Sequence, residues 1–240
     1  MIQSAHRAQQ VQEYYFSGKL AAIRRMMAEG IDVINLGVGS PDIYPPDEVI
    51  DTLKTSSEHA SANGYQPYRG IDELRLAIAD WYFRYYNIML DPDRQVLPLI
   101  GSKEGIMHIS MAYLNRGDAV LVPDPGYPAY ANAERICGAR CIHYDLTGEN
   151  NWEPDLSAIK KMDIAGLKIM WVNYPHMPSG TTASEKVFKE LVNFSRRHNV
   201  LVVNDNPYSF ILNNKPLSIL KADPGLENVL ELNSLMKSHS

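Results

Sequence analysis

The chain has 240 residues, 45% apolar and 21% charged, and its 23 basic against 28 acidic residues leave a net charge of −5. That length holds one large domain or two small ones, and the composition is ordinary globular usage. A generic nucleic-acid or anionic-membrane binder would need a basic surplus, which excludes both classes here; the Arg196-Arg197-His198 cluster reads as the solvated end of a helix. Met1-Ile2-Gln3-Ser4-Ala5-His6-Arg7 has no apolar signal-peptide core, and no run of about 18 apolar residues occurs, so a cytoplasmic protein without membrane spans is expected. Cys137 and Cys141 read as reduced core thiols, too few ligands for a metal site.

Residues 11–29 carry an amphipathic helical period. An apolar stretch at 34–38 and the turn-rich segments Gly39-Ser40-Pro41-Asp42 and Tyr44-Pro45-Pro46 follow. Residues 1–45 therefore read as an arm and connector, and 46–240 as the main domain. Strand-like runs lie at 96–100, 119–122, 140–144, 167–173, 200–204 and 229–232. Most are continuously apolar rather than alternating, the mark of strands buried on both faces of a mostly parallel sheet. Helical periods lie between them at 71–86, 103–115, 128–137, 155–162 and 184–198, with Asn115-Arg116-Gly117-Asp118 as a helix stop. Strand and helix in alternation predict an α/β fold, a three-layer α/β/α sandwich.

Five segments carry candidate chemistry, each with a plainer reading beside it. Gly101-Ser102-Lys103 opens a helix after an apolar run, which suits an anion, or is a simple helix cap. Pro123-Asp124-Pro125-Gly126-Tyr127-Pro128-Ala129-Tyr130 follows a strand; a stiffened loop there can hold an aromatic ring against a flat ligand, or merely pack it on the surface. Val172-Asn173-Tyr174-Pro175-His176-Met177-Pro178-Ser179-Gly180 is an irregular strand-to-helix loop, and His176 suits acid–base work or, more often for a lone loop histidine, structure. In Val202-Val203-Asn204-Asp205-Asn206-Pro207-Tyr208 a carboxylate directly follows an apolar strand, where it needs a partner such as a protonated ring nitrogen, or caps a turn. Lys237, in Asn233-Ser234-Leu235-Met236-Lys237-Ser238-His239-Ser240, is either a strand-end amine of lowered pKa or a solvated tail residue.

In this order the segments resemble the class I/II aminotransferase family of fold-type I pyridoxal-phosphate enzymes, over about residues 34–240. The resemblance implies pyridoxal 5'-phosphate as cofactor, and transfer of an amino group from an amino acid to a 2-oxo acid. Gly101, Ser102 and Lys103 match the phosphate-cradling helix start, and Tyr127 the ring-stacking aromatic. Asp205 matches the carboxylate that keeps the pyridine nitrogen protonated, Tyr208 the phenol on the ring hydroxyl, and Ser234 a phosphate donor. Lys237 matches the lysine that bonds the cofactor and then shuttles the Cα proton. In Asn35-Leu36-Gly37-Val38-Gly39-Ser40-Pro41-Asp42, Gly39 matches the backbone approached by the substrate carboxylate. In Gly64-Tyr65-Gln66-Pro67-Tyr68-Arg69-Gly70, followed by Leu74-Arg75, Tyr65 matches a residue that crosses to the partner's cofactor phosphate in a homodimer.

Residues 46–240 would then be the cofactor-binding large domain. The family's C-terminal small domain, with an arginine for the cofactor phosphate and one for the substrate carboxylate, is absent from this sequence, so these 240 residues alone are expected not to transaminate usefully. Met177-Pro178-Ser179-Gly180 stands where the family usually has Asn-Pro-Thr-Gly, so an amide donor is lost, with Asn173 a candidate to help Tyr208; Met236 replaces a common serine. Two alternatives stand beside transamination: a pyridoxal-phosphate C–S lyase or decarboxylase, and a non-catalytic cofactor-binding sensor or interaction module.

Overall fold

The computed structural model describes residues 2–9, 15–36, 39 and 43–237. The start of the expected arm helix, positions 37, 38, 40, 41 and 42 of the early glycine motif, and Ser238-His239-Ser240 lie outside the described residues. Helices α1 (His6–Gln9), α2 (Tyr15–Ala28), α3 (Asp47–Ser57), α4 (Asp72–Tyr86) and α5 (Ser102–Tyr113) precede the first strand. Then come β1 (Ala119–Asp124), α6 (Pro128–Cys137), β2 (Arg140–Asp145), α7 (Leu156–Ile159), β3 (Leu167–Asn173), α8 (Glu185–His198), β4 (Leu201–Asn206) and β5 (Val229–Asn233). The strands form one parallel sheet in the order β2-β1-β3-β4-β5.

The continuous apolar runs are explained by two cores, one on each face. Val120 and Val122 of β1, Ile169 and Trp171 of β3 and Val203 of β4 pack with Ile106 of α5 and Tyr130, Ala131 and Ala133 of α6. The alternate residues Ala119, Leu121, Met170, Val172 and Val202 pack with Val187, Phe188, Leu191 and Val192 of α8. Each such Val or Leu contributes roughly 1.5–3 kcal/mol when fully buried, so neither face can be given to water. The result is the expected three-layer α/β/α sandwich.

The helix ends follow local chemistry. The Ser184 side chain accepts from Val187 N at 3.2 Å at the start of α8, and Asn199 ends it in the left-handed region at φ 52. Pro128 occupies the first turn of α6, and Gly138 closes it at φ 77. The chain leaves β1 for β2 on one side and later returns to β3 on the other, with α6 and α8 on opposite faces of the sheet. That reversal opens a crevice beyond the carboxyl ends of β1 and β3, where ligands bind in sheets of this kind.

Some expectations fail for physical reasons. Residues 96–100 form no strand: Pro98 cannot donate to a ladder, and Ile100 N goes instead to Glu104 Oε2 at 2.6 Å. The described part of 34–38 is irregular, with Ile34 and Leu36 exposed. The helix expected at 155–162 shortens to α7, capped by Asp155, whose Oδ1 accepts from Ser157 N at 2.8 Å. Helix α3, which buries no residue, is not among the expected elements. Among the described residues no helix is long and apolar enough to cross a membrane.

One carboxyl sits inside the α6 layer. Glu134 is fully buried; its Oε1 accepts from Trp171 Nε1 at 2.7 Å and from Ser110 Oγ at 3.2 Å, and Oε2 has no partner among the described residues. Burial pushes its pKa up to about 7, against the two hydrogen bonds. A raised carboxyl pKa means the native state holds its proton to higher pH than the unfolded chain. The cost is therefore absent below the unfolded value of 4.5, grows with pH, and is complete above about 7. Glu134→Gln keeps an acceptor for Trp171 and removes the charge. In urea unfolding, the variant should be more stable than the native chain by about 1–2 kcal/mol at pH 8, with the gap closing toward pH 4.5. A variant less stable at pH 8 would show that the ionised carboxylate stabilises this core.

Candidate active site

At the end of β1 the chain folds back on itself so tightly that a Cβ on Gly126 would lie 2.4 Å from the Pro123 carbonyl oxygen. Only glycine fits such a backbone approach. The turn delivers Tyr127, half-buried, to the start of α6. Its ring meets Tyr130 edge-on, with centroids 5.7 Å apart at 82°, and Lys103 Nζ lies 5.9 Å from the Tyr127 centroid. Burial, and then the Asp205 charge, push the Tyr127 phenol pKa up.

At the end of β3 the loop is tied at both sides. Asn173 is buried and uses both ends of its amide: Nδ2 donates to the Asp205 carbonyl at 2.7 Å, and Oδ1 accepts from Met177 N at 2.8 Å. Asn173 thus braces the loop within the protein, with one of its two Nδ2 hydrogens used by the Asp205 carbonyl. His176 is also buried, with Nε2 3.1 Å from the Pro125 carbonyl and Nδ1 2.7 Å from Ser179 Oγ. The carbonyl can only accept, so Nε2 carries the hydrogen and Nδ1 accepts from the serine. Burial lowers the His176 pKa. The imidazole stitches the 174–180 loop to the 125–127 loop, which gives it a structural role in place of an acid–base one.

Asp205, in β4, is only 4% exposed. Its Oδ2 accepts from Tyr130 OH at 2.8 Å, while Oδ1 has no partner among the described residues. Burial pushes its pKa up to about 6, partly opposed by the Tyr130 hydrogen bond. Glu231, on β5, makes the contrast. It accepts from Tyr82 OH at 3.1 Å, Asn204 Nδ2 at 3.2 Å and Ile219 N at 3.1 Å, so both its oxygens are served by the fold. Asp205 is served on one side only, at the carboxyl edge of the sheet. Tyr208 follows, its hydroxyl 3.5 Å from Met177 Sδ.

Helix α5 begins at Gly101 with no side-chain cap, and its twelve-residue dipole directs partial positive charge toward the same edge. A Cβ on Gly105 would lie 2.7 Å from Leu232 Cδ2, so the small residue lets α5 settle against β5. Gly101 and Ser102 are half-buried, and Lys103 is exposed. Beyond β5, Ser234 Oγ accepts from Met236 N at 3.2 Å, and half-buried Lys237 donates from Nζ to the Gly39 carbonyl at 3.5 Å. Two candidates separated by most of the sequence therefore meet. Tyr65 is 99% exposed and does not join the cluster within this chain.

Contacts thus link Lys103, Tyr127, Tyr130, Asp205, Asn173, Met177 and Tyr208, and separately Lys237 with Gly39. Sequence reasoning assigned no role to Tyr130, Trp171 or Glu134. The one available signal was the i, i+3 spacing of Tyr127 and Tyr130, which puts both rings on one side of the first turn of α6. Arg75, in the segment after Gly70, is 5% exposed and pairs with Asp72 at 2.6 Å and Asp93 at 2.9 Å, which latches the start of α4 to the 91–94 turn.

The chain matches the family model described as aminotransferase class I and II over residues 31–240. An LL-diaminopimelate aminotransferase of Dehalococcoides mccartyi is 39% identical over 236 residues, covering 98% of this chain and 61% of that protein. One of Moorella thermoacetica is 39% identical over 241 residues, covering 100% of this chain and 62% of that protein. Among solved structures, apo-BacF of Bacillus subtilis superposes with a TM-score of 0.93 at 31% identity, over 100% of this chain and 61% of that one. An aspartate aminotransferase of Thermus thermophilus superposes with a TM-score of 0.87 at 25% identity, over 100% of this chain and 62% of that one. The chain spans about 61% of the length of the Dehalococcoides relative. With a matched span that takes in every described strand and the whole carboxyl edge of the sheet, the chain belongs to the class I and II aminotransferase family.

Proposed function

We propose that the protein transfers an amino group from an amino acid to a 2-oxo acid with pyridoxal phosphate, the cofactor of its family. The observation that carries this reading is Asp205 Oδ1, a buried carboxylate oxygen without a partner among the described residues, at the mouth of the sheet. A dry, half-satisfied carboxylate is costly unless a donor, best a cationic one, completes it. A protonated pyridine nitrogen is such a donor, so the residues present fit the cofactor.

When bound, the cofactor supplies a conjugated electron sink for negative charge at the amino acid's Cα. The chain's own residues have separate tasks. Asp205 accepts the ring N–H and keeps the proton there, which preserves the pull on electrons. Tyr127 offers its ring to one face of the pyridine. The first-turn N–H groups of α5, with Gly101, Ser102, Lys103 and the Ser234 hydroxyl, form the phosphate cradle. Tyr208 supplies a phenol donor for the ring oxygen. Lys237 would hold the cofactor through its Nζ, and the same amine would carry the proton taken from the amino acid's Cα. The Gly39 backbone, within reach of Lys237, lines the place of the substrate carboxylate. Tyr65, exposed at 99%, is available to reach the phosphate in a second copy of the chain in a homodimer. In this reading residues 46–240 are the cofactor-binding domain and 1–45 the arm and connector. The relatives' names make LL-diaminopimelate the first donor to assay, with 2-oxoglutarate as acceptor.

The attachment residue is tested by borohydride trapping of bound pyridoxal phosphate in the full-length protein, then peptide mapping. The label is expected on Lys237; a label on Lys103, or none at all, would reject the assignment.

For the role of Asp205, Asp205→Asn removes the charge that faces the ring nitrogen. Single-turnover amino transfer should slow by about 100-fold or more. An unchanged rate with normal cofactor loading would mean that Asp205 does not face the ring.

A further inference from the structure

We infer that Tyr130 is a positioning residue for Asp205: its phenol fixes one carboxylate oxygen, aims the other at the cofactor's ring nitrogen, and keeps the carboxylate ionised. The inference rests on the reading of Asp205 as the partner of that nitrogen. Tyr130 is fully buried, and its hydroxyl reaches Asp205 Oδ2 at 2.8 Å. The ring cannot swing away, because it lies flat on Trp171, with centroids 5.1 Å apart at 7°, and meets Tyr127 edge-on. Trp171 is itself held, its Nε1 donating to Glu134 Oε1 at 2.7 Å. The hydroxyl is therefore presented from a rigid stack. Asn173 completes the frame by holding the Asp205 backbone carbonyl at 2.7 Å.

The chemistry follows from what each group can do. An ionised carboxylate only accepts, and among the described residues its one donor is Tyr130. Without it, neither oxygen would have a donor in a buried place, and the carboxyl would keep a proton instead. A neutral carboxyl holds a cationic N–H poorly, so the cofactor would lose its anchor as well as its charge partner. Tyr130 stays a donor throughout, since burial and then the Asp205 charge push its own pKa well up. The Tyr127 phenol, which also feels the Asp205 charge, is raised in the same way. Lys103 Nζ lies 5.9 Å from the centroid of the Tyr127 ring. Of this carboxyl and the two phenols, Asp205 is the group whose charge changes between pH 5 and 8, with a pKa pushed up to about 6. Tyr130→Phe removes the one effect that opposes that rise.

The test is equilibrium binding of pyridoxal phosphate to the full-length protein, followed by absorbance from pH 5.5 to 8.5, for the native chain, Tyr130→Phe, Asp205→Asn and the double variant. Tyr130→Phe should weaken binding by about 10-fold at neutral pH and move the acidic limb of the affinity profile to higher pH. In the Asp205→Asn background the same change should have little effect and the limb should be gone. A 3-fluorotyrosine at position 130 keeps the shape and strengthens the donor. It should move the limb the other way, and serves as the test if Tyr130→Phe does not fold. If Asp205→Asn weakens binding but neither change at 130 moves the limb, the inference about Tyr130 fails and the cofactor reading stands. The same holds if Tyr130→Phe weakens binding equally in both backgrounds, which marks a purely structural residue. If Asp205→Asn leaves affinity and profile unchanged, the cofactor reading fails and takes this inference with it.

Discussion

A carboxyl group buried at the end of an apolar strand governs how the carboxyl edge of this sheet is built. Val202, Val203, Asn204, Asp205 and Asn206 are all buried, and the register that sets Asp205 between Asn173 and Leu232 leaves it no exit to water. Such a group must be hydrogen-bonded or neutral. The fold meets the requirement halfway: Tyr130 serves one oxygen, and the other has no partner among the described residues. Helix α6 must therefore start close to β4, and the tight turn at Gly126 puts it there. The stack of Tyr130 on Trp171 then follows from the same placement.

The loops around that carboxylate are held by polar ties more than by apolar packing. Asn173 joins β3 to β4 and to Met177, and His176 joins the 174–180 loop to Pro125. Ties of this kind fix loop shape without filling the space above the sheet, whereas apolar side chains would occupy it. Glu231 marks the other regime: saturated by Tyr82, Asn204 and Ile219, it serves the interior alone. What separates the two carboxylates is the count of donors the fold supplies, since both are withdrawn from water.

How much of this was legible in the sequence depended on whether a feature is local. The inner strands β1, β3 and β4 were readable because both faces of the sheet are covered, which makes each a largely apolar run, whereas the edge strands β2 and β5 are more polar. The run at 96–100 looked the same, but pairing is a tertiary matter, and Pro98 and the Glu104 side chain divert its backbone. Helix α3 lies outside the expected elements, and none of its residues is buried. Asp205 and Tyr127 could be picked out, as each breaks a local pattern at a strand end. Tyr130, Trp171 and Glu134 could not, since each looks like core until three elements bring them together. His176 misleads in the opposite direction: its chemistry draws attention, but both ring nitrogens are committed to the protein.

The reversal of strand order explains why residues so far apart converge. β1 lies between β2 and β3, so the chain must leave it on one face through α6 and come back on the other, with α8 covering that second face. The loops after β1 and β3 therefore part, and the ends of β4 and β5 and the start of α5 complete the rim. No loop carries the site alone, and a substitution in one of them need not undo the rest. Met177 illustrates this. The shape of its loop is set by its own backbone N–H on Asn173, by His176 on Pro125 and by Ser179, none of which depends on the side chain at 177. A thioether can occupy that position and meet the Tyr208 hydroxyl while the frame that orients Asp205 stays as it is. The polar ties set the geometry, and the residues that face the crevice are left to vary the chemistry.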